Sequence, residues 1–220
     1  MFLKKESGIK IYYETHGKKG DIPILLLHGL GCDHNMFKPQ IEKYPQKGYF
    51  LIIPDMRGHG QSDKVQNLRL TDWTDDIKEL INHLELDKVI LLGVSMGGVI
   101  AQKFITRYPE KINKLILSDT FGELKSLTEK LAGYSQVLSF KLFQYLPNKW
   151  AADIIASSYK DFSEEVHEYF KQITNKADFK QLELARKAIN SINVLEDLNK
   201  MSTSVLVMAG DKAKIMLRPA

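Results

Sequence analysis

Cysteine is almost absent: Cys32 is the only one in 220 residues. No disulfide can therefore form within the chain, and a reducing compartment is expected. A single unpaired cysteine in a loop is read as incidental. The first residues, Met1-Phe2-Leu3-Lys4-Lys5-Glu6, hold no apolar stretch long enough for a secretory signal. No segment approaches the roughly 20 apolar residues that a membrane span needs. The expectation is a cytoplasmic protein without a membrane partner. Long charge runs are missing too. Lys and Arg never exceed two in a row, and 31 basic against 27 acidic residues leave a net charge of +4. So thin and dispersed an excess reads as a solvated surface, not as a nucleic-acid-binding face. The histidine and carboxylate spacings suit no metal site, and repeats and low-complexity tracts are absent.

What remains is ordinary for a globular chain, 44% hydrophobic and 26% charged, of a length that suits one domain or one domain with an insertion. Residues 2–15 read as an edge hairpin turning at Ser7-Gly8. Ile22 to Leu27 and Tyr49 to Ile53 are apolar without alternation, which suits parallel strands buried on both faces. A short helix is expected around Met36 to Tyr44. Thr71 reads as a helix N-cap, with Asp72 and Asp75 after it and Trp73, Ile77, Leu80, Ile81 and Leu84 on one face. Val89 to Leu92 and Leu115 to Leu117 are further buried strands, and Tyr108-Pro109 stops the helix between them. From Glu123 to about Lys200 no strand is convincing. Leu124, Leu127, Leu131, Tyr134 and Leu138 keep a helical period, and further helices are expected near 151–159, 163–174 and 177–192. Val205 to Met208 resumes the strand pattern.

The chemistry concentrates in Gly93-Val94-Ser95-Met96-Gly97-Gly98. Four apolar residues precede it and a helical pattern follows, which puts a serine at the apex of a tight strand–turn–helix. Two more motifs precede it in order, each after a predicted strand: His28-Gly29-Leu30-Gly31, and Asp55-Met56-Arg57-Gly58-His59-Gly60-Gln61-Ser62. Together the three resemble the α/β-hydrolase superfamily, in its branch of small capped esterases and enol-lactonases.

The resemblance implies an α/β fold, a mostly parallel sheet with helices on both faces and a helical cap. Residues 1–120 would form the first part of the core, 121–200 the cap, and 201–220 the seventh strand and the chain end, with the last strand and helix missing. It implies Ser95 as nucleophile, although a serine at a helix start is by itself more often a cap. The N–H groups of Leu30 and Met96 would form the oxyanion hole. The substrate would be a small apolar ester or lactone beneath a cap rich in Leu, Tyr, Phe and Trp150, with no cofactor. His28 and His59 sit inside turn motifs and are expected to have structural duties. His16, His34, His83 and His167 are expected at the surface or in loops.

The acid and the base depart from the family pattern. Its carboxylate usually follows the seventh strand as Gly-x-x-Asp, but Gly210-Asp211-Lys212-Ala213 has alanine there. Asp211, two residues early, and Asp119, after the sixth strand, are the candidates. No histidine follows Asp211, whereas the triad order is serine, acid, histidine. Four accounts stay open: a truncated esterase, a remodelled triad, a catalytically silent relative that binds small molecules, and a partner chain that supplies the histidine. The first also predicts marginal stability, because the seventh strand becomes an apolar edge.

Overall fold

The computed structural model describes residues 1–159 and 162–210. In chain order its elements are β1 (Phe2–Lys4), β2 (Lys10–His16), β3 (Ile22–Leu27), α1 (Lys38–Lys43), β4 (Tyr49–Pro54), α2 (Leu70–His83), β5 (Val89–Val94), α3 (Met96–Arg107) and β6 (Ile112–Ser118). Five helices follow, α4 (Leu127–Phe143), α5 (Asn148–Ser157), α6 (Glu164–Asn175), α7 (Phe179–Asn190) and α8 (Leu195–Leu198), before β7 (Ser204–Met208).

The strands form one sheet in the order β1-β2-β4-β3-β5-β6-β7. The β1–β2 and β2–β4 pairs are antiparallel; the rest are parallel. Apolar runs without alternation become the central strands because both faces are covered. Leu25, Leu27 and Ile52 pack with α2 and α3 on one face, while Ile24, Leu26, Leu51 and Ile53 pack with Phe37 and Ile41 on the other. That second face is less covered beyond β3, where Ile90, Leu92, Val94 and Ile116 are half-buried among the described residues. At the sheet edge, β7 is exposed along its whole length, with Val205, Leu206 and Val207 between 50% and 62% exposed. No described helix is long and apolar enough to cross a membrane.

Two local expectations, the Thr71 cap and a pocket-lining Trp150, are corrected. Helix α2 starts one residue before Thr71. Its N-cap is Arg69, whose N–H donates to the Asp72 carboxylate at 2.8 Å, so the acid reaching backward does the capping that a Thr71 hydroxyl was expected to do. In α4 the stripe Leu127, Leu131, Tyr134, Leu138 is exposed. The buried side carries Gly133 and Val137, and half-buried Phe140 and Phe143 pack on Phe179 of α7. This helix is apolar on two sides, and periodicity alone does not say which one meets the protein. Trp150, expected to line a pocket, is likewise 59% exposed.

Candidate active site around Ser95

Ser95 is the hinge between β5 and α3. Its backbone sits at φ 52°, ψ −112°, in the left-handed region that non-glycine residues rarely adopt. That geometry costs roughly 1–3 kcal/mol and persists only where the surroundings impose it. Here the Ser95 N–H donates to Ser118 O at 2.9 Å. Its carbonyl accepts from the Val99 N–H at 3.0 Å and the Thr120 hydroxyl at 2.8 Å. The glycines supply the remaining condition. A Cβ on Gly93 would overlap the Gly97 carbonyl, and one on Gly97 would overlap the Leu27 carbonyl. The outcome is a half-buried hydroxyl lifted off the C-terminal end of the central strand.

The turn after β3 closes on it. A Cβ placed on Gly29 would lie 3.8 Å from the Ser95 Cβ. Leu30, the next residue, and Met96, the first residue of α3, each carry an N–H that donates to no acceptor among the described residues. For Met96 this is the ordinary state of a first-turn helical donor, and the helix dipole adds to its positive character. The sequence thus brings together Ser95, Leu30 and Met96. A serine hydroxyl with unspent backbone donors nearby has the chemistry that holding a developing oxyanion would require.

The surrounding histidines brace these turns. His28 is fully buried; its Nδ1–H donates to Gly29 O at 2.8 Å and its Nε2 accepts from the Met56 N–H at 3.0 Å. Burial lowers its pKa, so it works as a neutral strut between the two loops. The His59 ring lies 5.1 Å from that of His28, and burial pushes its pKa down to about 3. His34, expected at the surface or in a loop, lies in the turn after β3 and is buried. Its backbone N–H and its Nδ1–H both reach Asp55 Oδ1, at 2.7 and 2.9 Å. Burial works against charge on His34, but the hydrogen bond and charge of Asp55 outweigh it and raise the pKa. Asp55 also accepts the Gln61 N–H at 2.8 Å. Although burial opposes ionisation there as well, the partners hold its pKa low. A Cβ on Gly60 would overlap this carboxylate, which is why that loop position is glycine. The acid just after β4 was the available signal for the His34 contact, but nothing in the sequence paired the two.

Asp119 makes no hydrogen bond to Ser95 among the described residues, although its neighbours Ser118 and Thr120 both do. Asp119 sits at φ 49° after β6. Its Oδ1 accepts from the Gly210 N–H at 2.8 Å, its Oδ2 accepts from the Ser118 hydroxyl at 2.8 Å, and its own N–H donates to Met208 O. Oδ1 thus joins the Asp119 N–H in tying the end of β7 to β6, while Oδ2 holds the neighbouring Ser118 hydroxyl. Asp211 lies outside the described residues. None of the six histidines hydrogen-bonds Ser95. No cluster of metal-ligating side chains occurs among the described residues.

The helices between β6 and β7 lie against these same loops. Gln181 of α7 accepts from the Val65 N–H at 3.0 Å and donates to Val65 O at 2.9 Å, and Leu182 comes within 3.8 Å of a Cβ position on Gly31. Tyr169 of α6 donates to Asp33 Oδ1 at 3.2 Å and accepts from the Asp33 N–H at 3.3 Å. Cys32, beside it, is buried, and burial pushes its thiol up to about 12, so it is inert. The two crossings to this helical segment meet: Glu123 bridges Asn193, and the Val194 N–H donates to Gly122 O.

Comparison with known proteins agrees with this arrangement. The AB hydrolase superfamily protein YisY of Bacillus subtilis is 37% identical over 120 residues, covering 53% of this chain and 43% of YisY, so the match spans less than half of that protein. The 3-oxoadipate enol-lactonase 2 of Acinetobacter baylyi is 25% identical over 206 residues, covering 92% of this chain and 75% of the lactonase. The solved structure of an esterase from Exiguobacterium antarcticum superposes with a TM-score of 0.83 at 26% identity, over 94% of this chain and 80% of that one. The model of the alpha/beta hydrolase fold matches residues 22–204, and the chain belongs to that family.

Proposed function

We propose that this protein is a serine hydrolase of small carboxylic esters or lactones that works through an acyl-enzyme, with Ser95 as nucleophile. The observation that carries the reading is the left-handed Ser95 turn with the unspent N–H groups of Leu30 and Met96 around it. In the proposed reaction Ser95 Oγ attacks the substrate carbonyl carbon while its proton passes to a base. The carbonyl oxygen takes the negative charge between the two N–H groups; collapse then breaks the C–O bond, and the departing oxygen takes up that proton to become the alcohol, or the free hydroxyl end of an opened lactone. Water gives a proton to the base as it attacks the ester on Ser95, and cleavage of the acyl–Oγ bond releases the carboxylic acid and restores the hydroxyl. Neither step needs a cofactor or metal. A likeness to an enol-lactonase at 25% identity and to an esterase at 26% supports the substrate class.

Residues 121–200 are read as a cap, because Gln181, Leu182 and Tyr169 reach down to the loops that flank Ser95. Residues 1–220 supply no histidine bonded to Ser95, so this chain is expected to acylate slowly: the oxyanion donors and binding alone leave about 10³–10⁴-fold catalysis over water. A second reading is a catalytically silent binder of small molecules, and the lack, among the described residues, of any histidine hydrogen-bonded to Ser95 favours it. A fluorophosphonate probe separates the two. Stoichiometric labelling of the Ser95 peptide, seen by mass spectrometry, is the result expected of the hydrolase. A folded protein with no labelling at Ser95 would establish the binder instead.

A further inference from the structure

We propose that Tyr169 is a positioning residue that fixes the turn carrying the Leu30 N–H to the helical segment above it. The proposal rests on the serine-hydrolase reading for its effect on rate, but not for its geometry.

Three side chains hold the stretch from His28 to Phe37. Two belong to the sheet side: His28, pinned between Gly29 O and the Met56 N–H, and His34, bound twice to Asp55. Both grip the ends of the stretch. The middle, Leu30 to Asp33, has a different anchor. The hydroxyl of Tyr169 stands against both the N–H and the carboxylate of Asp33, at 3.3 and 3.2 Å. Asp33 in turn caps the following turn, accepting the Asn35 N–H at 3.0 Å. Losing the hydroxyl would take this partner from the half-buried Asp33 N–H, only three residues from Leu30.

Tyr169 is itself firmly placed. Its ring packs edge-on to Phe170 with centroids 5.5 Å apart, and Phe170 stacks on Tyr159 of the α5 end at 3.7 Å. The contact joins residues 136 positions apart, so it reports the docking of α5 and α6 on the turn. Apolar contact does not duplicate it: the Leu182 approach to Gly31 has no direction, whereas a hydroxyl that both accepts and donates fixes an angle. An oxyanion donor displaced by a fraction of an ångström loses strength in the transition state and little in the ground state. The expected signature is therefore a change in rate without a change in binding.

The test uses residues 1–220 and saturation kinetics of fluorophosphonate inactivation, which give a maximal rate and a half-saturating concentration. Tyr169→Phe is expected to lower the maximal rate about tenfold, less than the roughly 10²–10³-fold that removing an oxyanion donor outright costs, with the half-saturating concentration within twofold and the melting temperature nearly unchanged. Asp33→Asn keeps an acceptor oxygen and is expected to stay near wild type, whereas Asp33→Ala should match Tyr169→Phe. Amide hydrogen exchange over residues 29–37 supplies a readout that needs no reaction, and it should quicken in Tyr169→Phe and Asp33→Ala. Unchanged exchange in Tyr169→Phe overturns the proposal, as does a fall confined to binding and melting temperature. Faster exchange in a wild-type background that takes no label upholds the positioning and removes the hydrolase reading.

Discussion

His34 gives Asp55 two hydrogen bonds to one oxygen, from the backbone N–H at 2.7 Å and from ring Nδ1 at 2.9 Å. The pair ties the turn after β3 to the loop after β4 beneath the candidate site, with Glu14 3.5 Å from the other ring nitrogen. Its stability has a defined pH window. The His34 pKa is raised above its ordinary 6.5, so its contribution is complete below that pH and fades as the pH rises through the native value. The Asp55 pKa is lowered from 3.8, so its contribution is complete above that pH and fades on further acidification. His34→Gln should therefore cost about 2 kcal/mol near pH 6 and less at pH 9, measured by urea denaturation at both. An equal loss at both values would show that the charge of His34 adds nothing.

Ser95→Gly should make the protein more stable by roughly 1 kcal/mol while abolishing reaction with the phosphonate, because glycine takes φ 52° without the cost that serine bears. Thermal unfolding reads the gain. A destabilised Ser95→Gly would mean that the turn stores no strain.

Gly97→Ala should do the reverse. Its methyl group would meet backbone, the carbonyls of Leu27 and His28, which cannot swing aside as a side chain can. A loss of about 3 kcal/mol or failure to accumulate folded protein is expected, and circular dichroism with a melting curve decides it.

Leu206→Lys tests the β7 edge. The residue is 54% exposed in a strand with no charge from Ser204 to Met208. Natural edges usually carry a charge or a proline against unwanted pairing. The substitution should cost less than about 0.5 kcal/mol and reduce concentration-dependent association in light scattering. Unaltered association would place the sticky surface elsewhere, with the exposed Leu131 and Leu138 face of α4 next in line.

Much of the fold could be read from the chain because its signals are local. Uninterrupted apolar runs at Ile22 to Leu27 and Val89 to Leu92 became central strands, and the glycines around Ser95 marked a turn that tolerates no Cβ. What escaped depends on partners distant in sequence. Nothing near His34 announces Asp55, 21 residues on, and nothing near Cys32 announces Tyr169. Helix α4 was legible as a helix but not in its orientation: with apolar residues on two sides, that is decided by Phe179 in another helix. Asp119 was legible as a strand-end acid, but its engagement with Gly210 depends on where β7 lies.

Glu123 and Asn193 pair, so the chain leaves the sheet and returns to it at one place, its two strands about 5 Å apart. The segment between them is nonetheless part of the core: Ala185, Ala188, Ile189 and Ile192 lie buried in one cluster with α3 and the central strands. A change in these helices therefore reaches the packing of α3, whose first residue follows Ser95, as well as the loops that Gln181 and Tyr169 hold.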